Sequence, residues 1–82
     1  MIEQVNQCID VLVAFVNRRV LPLSFTWNKK KYAIDKVNLI HESRQNGAKW
    51  YHFSLSSGGG FYKIAFDTEH NLWFLQEADF GY

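Results

Sequence analysis

Hydrophobic and polar positions alternate along most of the chain, which is typical of half-buried β-strands. In residues 20 to 27, Leu21, Leu23, Phe25 and Trp27 occupy every second position, so one face of that strand is predicted to carry all four. Pro22 cannot donate to a strand ladder and indicates a strand start, a bulge or an edge. Similar patterns predict strands at residues 49 to 56, 61 to 66 and 72 to 78.

The first segment fits two secondary structures. Apolar residues from Ile2 to Val16 are spaced as on one face of a helix, whereas residues 10 to 16 also form a run rich in β-branched side chains. Because no capping residue or glycine marks a helix end, a strand at residues 9 to 16 is favoured. Residues 1 to 8 are left as a short helix or a flexible arm.

Short polar turns separate the predicted strands. Asn28-Lys29-Lys30 precedes a strand at residues 31 to 40 whose alternation changes phase near Asp35-Lys36, which indicates a bulge or bend. Residues 41 to 49 are polar and contain Asn46-Gly47, a hairpin-turn dipeptide. The fold class predicted is all-β or mainly β: one domain, residues 1 to 82, in which about six strands form a small antiparallel meander that closes into an SH3-like barrel.

Composition agrees with a small domain that has its own core. Of the 82 residues, 48% are hydrophobic and 17% aromatic, so a core can form without metals or disulfides, and no cofactor is expected. The net charge of +1 is below that of a dedicated nucleic-acid binder.

Cys8 is the single cysteine, which favours a reducing, cytoplasmic location. The N-terminal stretch contains Glu3 and Asp10 and fits neither a signal peptide nor a membrane span, so no membrane partner is expected.

The segment from Leu21 to Tyr32, together with Asp35-Lys36-Val37 and Trp73-Phe74-Leu75, resembles a family of short bacterial domains of unknown function. That family has a P-x-x-F-x-W hairpin followed by basic residues and a tyrosine, and a final Trp-Phe/Tyr-Leu strand. Some members occur beside or fused to relatives of Y-family translesion DNA polymerases, which implies an accessory role in DNA damage tolerance. The resemblance covers residues 9 to 78 and carries no catalytic residue. A lysine stands here where a turn glycine is common in the family.

The sequence spacing of potential catalytic and metal-binding residues gives little support for a chemical site. Cys8 has no histidine nearby in sequence, and a free cysteine of this kind usually acts as a small hydrophobe. The other possible ligands or bases match no compact metal motif and are interpreted as loop or surface residues: His41, His52, Asp67, Glu69 and His70. Residues 57 to 60, Ser-Gly-Gly-Gly, lack the lysine and helix of a phosphate-binding loop. We therefore expect no enzyme activity.

Two surfaces remain as candidates for binding. Basic residues in two turns, which a meander could bring to one end, lie near aromatic residues and could bind single-stranded nucleic acid. Large side chains on both faces of the strands at 49 to 56 and 61 to 66 predict an exposed aromatic patch for a protein partner or a homodimer. The combined binding surface predicted is Arg18, Arg19, Trp27, Lys29, Lys30, Lys31, Trp50, Tyr62 and Trp73. Protein–protein contact or self-association is the function favoured, with nucleic-acid binding as the alternative.

Overall fold

The computed structural model describes residues 2 to 80. All of the regular structure in this range is β-strand, and none of it is a helix that could cross a membrane. The strands are β1 Ile2–Val16, β2 Arg19–Trp27, β3 Lys30–Ala33, β4 Lys36–Gln45, β5 Ala48–Ser57, β6 Gly60–Asp67 and β7 Leu72–Asp79. The all-β fold predicted from the sequence is therefore confirmed. Strand β1 covers the predicted strand at residues 9 to 16 and also residues 2 to 8, so the short helix or flexible arm predicted there is wrong within the described residues.

The seven strands form one antiparallel sheet in the order β3-β2-β1-β7-β6-β5-β4, curled into a half-barrel. Strand β1 pairs with β7 up to Ile9 and with β2 from Asp10 onward, so it belongs to both halves of the sheet. The two end strands, β3 and β4, are consecutive in the chain and are not paired with each other. The sheet therefore has an open seam between β3 and β4.

Two-residue turns connect four of the hairpins. Both central residues have positive φ in Asn17-Arg18, Asn28-Lys29, Asn46-Gly47 and Gly58-Gly59, as type I′ turns require. Asparagine and glycine tolerate this conformation best, and each of the four turns begins with one of them. The hairpin predicted at Asn46-Gly47 is confirmed.

The predicted strand at residues 31 to 40 is two strands, which raises the number from about six to seven. Strand β3 ends at Ala33 and β4 begins at Lys36. Strand β4 also continues to Gln45, through residues that the sequence suggested were a polar loop. The bulge in this region lies between Val37 and Leu39, slightly beyond the position expected.

The predicted inward face of residues 20 to 27 is wrong in its first half. A register shift opposite Leu12 and Val13 leaves Leu23 as an extra residue in β2. Because a bulge changes which side chains point inward, Pro22 is buried while Leu21 and Leu23 are exposed. Phe25 and Trp27, beyond the bulge, are buried as predicted.

The core lies inside the curl, where β2 and β3 pack over β5, β6 and β7. Phe25, Phe53, Leu55, Ile64 and Leu75 are its largest fully buried side chains. A cluster of aromatic rings fills the lower end, which we define as the end that carries the Gly58-Gly59 turn. Its members are Phe25, Trp27, Tyr32, Tyr62 and Phe80.

Gly60 is predicted to be the most sensitive glycine in the described chain. A Cβ atom at this position would lie 2.9 Å from the backbone oxygen of Asp79, which cannot move without disturbing β7. We expect Gly60→Ala to lower the free energy of unfolding by about 1–3 kcal/mol, measured by urea denaturation. Gly58→Asn is the control, because that position has positive φ and open space around it. Equal stability of the two variants would contradict the close approach at Gly60.

Candidate interaction site

Three aromatic residues of the predicted binding surface lie in the core. Trp27, Tyr62 and Trp73 are only 8%, 5% and 8% exposed. The indole nitrogen of Trp27 donates a hydrogen bond to Oε1 of Gln7 at 3.0 Å, so its polar atom is also used within the fold. These three residues therefore cannot form the aromatic patch that the sequence suggested.

Trp50 lies on the convex face and is partly buried among other side chains. Its ring stacks on Phe74 with 5.7 Å between centroids, and on His52 at 6.5 Å. His52 stacks in turn on His41 at 4.6 Å. These four rings form a row on the convex face, because antiparallel pairing aligns their positions on neighbouring strands. Trp50 thus remains near the surface as part of a packed row.

The convex face also brings a serine and a histidine together. Oγ of Ser43 lies 2.7 Å from Nε2 of His52, whose Nδ1 lies 3.5 Å from Oε1 of Gln76. A hydroxyl beside an imidazole is the contact used in nucleophilic catalysis. Here it lies on the face of the sheet opposite the core, where the same atoms fix the packing of the row. Cys8 is exposed on the neighbouring strand β1, rather than buried as a small hydrophobe.

The two basic turns lie at opposite ends of β2, which corrects the expectation that a meander could bring them together. Arg18 and Arg19 adjoin the start of β2, and Lys29 and Lys30 follow its end. A nine-residue strand separates its ends by about 27 Å. Any surface that uses these basic residues must therefore be two separate surfaces.

A cavity of about 450 Å³ at the lower end contains part of the predicted surface; we call it the lysine pocket. Its lining includes Lys30, Lys31, Tyr32, Gly58 and Phe80. Nζ of Lys30 lies 5.3 Å from the centroid of the Tyr32 ring, within cation–π range. The pocket is thus lined by two lysines and by aromatic side chains.

A hydrogen-bond network closes the lower end of the open seam. The backbone N–H groups of Ile34 and Asp35 donate to opposite sides, to the oxygens of Leu23 in β2 and Ser56 in β5. Oγ of Ser57 donates to the oxygen of Ala33, and the N–H of Gly58 donates to the carboxylate of Asp35. These bonds hold the β3–β4 link across the seam.

Toward the end of β5 that carries the Asn46-Gly47 turn, which we call the upper end, the seam opens into a cavity of about 390 Å³. We call this cavity the seam groove. One wall is formed by the hairpin end of β2 and the other by β4 and β5. The lining residues are Arg18, Arg19, Val20, Ile40, Glu42, Tyr51 and Phe53. Strand β2 pairs with β3 only from Ser24 onward, so its first residues have no strand partner on this side.

The edge of β4 beside the groove carries backbone groups that have no partner within residues 2 to 80. Because Gln45 and Ala48 flank a two-residue turn, they form a hydrogen-bonded pair, and bonded pairs then alternate along β4. Lys49 and Arg44 opposite it then form a pair without bonds to each other, so the backbone groups of Lys49 should point toward β6. They do, because the backbone oxygen of Lys49 accepts a hydrogen bond from the N–H of Thr68. The N–H and C=O groups of Ile40, Glu42 and Arg44 consequently point away from β5.

Charge around the seam groove is mainly positive. Nζ of Lys49 lies 3.6 Å from the carboxylate of Glu42. The pKa of Lys49 is raised above its usual value, first by a hydrogen bond with Tyr51 and then by the charge of Glu42. Within residues 2 to 80, Arg18, Arg19 and Arg44 form no ion pair. Among the described residues that line the groove, Glu42 is the one carboxylate, and Lys49 matches its charge. Arg18 and Arg19 in the lining, with Arg44 just beyond it on β4, supply the positive charge that remains.

The hairpin of β1 and β2 beside the groove exposes large apolar side chains. Phe15 is 75% exposed, and Leu12, Val16, Leu21 and Leu23 are exposed as well. From Val11 to Leu23 the hairpin contains no acidic residue, and only Asn17, Arg18 and Arg19 are polar. An exposed apolar surface next to unpaired strand edges indicates a place where another chain can bind.

Asp67 organises the loop between β6 and β7. Its Oδ1 accepts hydrogen bonds from the backbone N–H groups of Glu69 and His70, and its Oδ2 lies 2.8 Å from Nδ1 of His70. The His70 contact is the first cause of a lowered Asp67 pKa, and Asp67 likewise raises the pKa of His70. Asp67 is buried, so this part of the predicted solvated loop is a structural cap.

No protein-family model, curated protein or solved structure matches the chain. The resemblance to short bacterial domains, with its polymerase association, consequently stays a prediction. The groove and the unpaired edge are therefore interpreted from their geometry and charge alone.

Sequence reasoning missed the edge of β4 because its residues do not show the hydrophobic alternation of a buried strand. His41, Ser43 and Gln45 are polar, and so are Glu42 and Arg44 between them. The available signal was the Asn46-Gly47 turn, which requires two strands of matching length on its two sides. Extending the predicted strand at 49 to 56 across this turn would have placed residues 41 to 45 in a strand.

The pair Asp67 and His70 predicts how stability depends on pH. Because the folded-state pKa of Asp67 is lowered, its contribution is complete above its ordinary value near 4 and is lost as pH falls through the folded value. Because that of His70 is raised, its contribution is complete below about 6.5 and is lost as pH rises through the folded value. We expect the melting temperature of Asp67→Asn to vary less with pH than that of the wild type.

NMR titration of the imidazole protons gives the direct measurement. In Asp67→Asn the pKa of His70 should fall toward its ordinary value. An unchanged His70 titration would show that the carboxylate does not hold the ring.

Proposed function

We propose that this chain is a non-catalytic protein-binding module that receives an extended segment of a partner on the edge of β4. The unpaired N–H and C=O groups of Ile40, Glu42 and Arg44, next to the seam groove, carry this proposal. Strand addition supplies affinity through main-chain hydrogen bonds and specificity through pockets for alternate side chains. The groove would provide such pockets.

The layout of β4 supports binding along its upper part. Lys36 and the bulge between Val37 and Leu39 protect the lower part, as charged residues and bulges do on edge strands. Beyond the bulge, Leu39 and Ile40 are 58% and 47% exposed. The side chain of Ile40 lines the groove, so an added strand would cover apolar surface as well as bond to the backbone.

We propose a cytoplasmic location for the module. Cys8 is a single exposed thiol, and such thiols persist best in a reducing compartment. The partner can be another protein or a second copy of the chain, since both can present an extended strand.

The test of strand addition uses proline at a position where only the outward donor is lost. Glu42→Pro removes one outward N–H and should leave the bonds to β5 intact, because proline is tolerated where the N–H of an edge strand faces solvent. Linear peptides selected from a phage-displayed random library against the wild type should bind Glu42→Pro roughly tenfold more weakly, measured by fluorescence anisotropy.

Glu42→Ala is the matched control, since it removes the same carboxylate but keeps the N–H. It should bind the selected peptides within a few-fold of the wild type. Circular dichroism and thermal melting must show that both variants fold. A selection that yields no binders, or binders that tolerate Glu42→Pro as well as Glu42→Ala, would overturn the proposed function.

The lysine pocket favours a second function, single-stranded nucleic-acid binding. Ammonium groups can contact phosphates while a base stacks on an aromatic ring. Lys30 and Lys31 line the pocket with Tyr32, and a base can replace the flexible Lys30 side chain over the Tyr32 ring. Lys29 lies in the adjoining turn. The small net charge of the chain makes this the weaker proposal.

Labelled single-stranded DNA and RNA, titrated with the protein at low and moderate salt, test this second function. Binding at the lysine pocket should weaken steeply as salt rises and should be lost when Lys29, Lys30 and Lys31 are all changed to Gln. Changing Arg18, Arg19 and Arg44 to Gln removes the same charge at the other end of the molecule and is the matched control. Equal losses in the two triple variants would exclude a specific site at the lysine pocket.

A further inference from the structure

We propose that the segment bound at the seam groove is an extended strand that carries acidic residues at one end and apolar residues at alternate positions after them. This inference rests on the proposed function, because it names the chemistry of the partner that the same site receives. Three features of the groove support it: its excess of positive charge, its apolar floor, and the order of the residues along β4.

The charge of the groove selects an acidic partner. Arg18 and Arg19 line one wall of the groove, and Arg44 lies just beyond the lining, two residues after Glu42 on β4. None of the three forms an ion pair within the described part of the chain. The carboxylate of Glu42 is held by Lys49. Complementary charge favours the matching partner and disfavours a basic one, mainly through the association rate and specificity.

The floor of the groove selects apolar side chains. Ile40 pairs across the ladder with Phe53, which is only 2% exposed, and Glu42 pairs with Tyr51. Val20 forms part of the facing wall. Successive side chains of a strand point to opposite faces, so every second residue of an added strand would point toward this floor.

The order of residues along β4 gives the pattern a direction. Ile40 and Glu42 line the groove, and Arg44 shares their face of β4 by strand alternation. The apolar residue therefore lies toward the closed end and the cation toward the open end. Side chains directly opposite one another on paired strands interact most strongly. An added antiparallel strand would therefore place an acidic residue beside Arg44 first and an apolar residue beside Ile40 four positions later.

The test compares two labelled peptides that differ only in charge. The probe is acetyl-Glu-Glu-Thr-Val-Thr-Val-Thr amide, and its control has Lys-Lys in place of Glu-Glu. By anisotropy at low salt, the acidic peptide should bind the wild type roughly tenfold more tightly than the basic one, and the difference should shrink at high salt. In a variant with Arg18→Glu and Arg19→Glu the preference should reverse, which a loss of folding could not produce.

Each outcome bears on a defined claim. Equal binding of both peptides, with both weakened by Glu42→Pro, would overturn the acidic preference and leave strand addition in place. Weak binding of the acidic peptide, with no preference over the basic one, would overturn the inference, while the phage selection decides the proposed function separately. A dimeric mass by light scattering that becomes monomeric in Glu42→Pro would identify a second copy as the occupant and would also overturn it.

Discussion

The fold depends on the sharing of one strand between two halves of a sheet. Strand β1 is 15 residues long and pairs with β7 through its first half and with β2 through its second. A register shift after Gln4, with Asn6 at positive φ, accompanies its pairing with β7. Such irregularities increase local twist and bend a strand. Because the sheet bends along β1, β2 and β3 lie over the other strands and enclose the core. The seam lies between the two ends of the sheet, β3 and β4, on the side of the core away from β1.

The same arrangement explains why polar and apolar features meet at the groove. The β1–β2 hairpin extends beyond Ile9, the last residue of β1 that pairs with β7. One face of this extension packs on the core through residues such as Val13, and the other exposes large apolar side chains such as Phe15. The lower end of the seam is fixed by Ile34 and Asp35, which donate to opposite sides. Above these two residues, the start of β2 and the outer edge of β4 pair with no other strand in the part of the chain that the structure describes. The groove is thus a result of how the sheet curls and where its last strand stops.

The class of fold could be predicted from the sequence, because alternation and turn residues are local signals. Asn46-Gly47 and the strands that pack in the core, such as the segment around Phe53 and Leu55, were read correctly. The inward face of β2 could not be predicted, because one extra residue at Leu23 reverses the alternation and leaves no mark in the pattern.

The candidate site was predicted only in part. Arg18 and Arg19 line the groove, but Trp27, Tyr62 and Trp73 are core residues, since a domain this small needs its largest side chains inside. The distance between the basic turns depends on strand pairing, which no single segment reveals.

The closed lower end of the seam also limits how tightly the seam groove can hold a partner strand. A strand that enters from the open end can pair with β4 only as far as Ile40, which gives it about five residues, or roughly 17 Å, of contact. So short a contact buries far less surface than a standard protein interface. Under the proposed function, each binding event should therefore be brief and easily reversed. A lasting association would have to come from several modules acting on one partner, whose linked binding events raise the effective concentration of each strand.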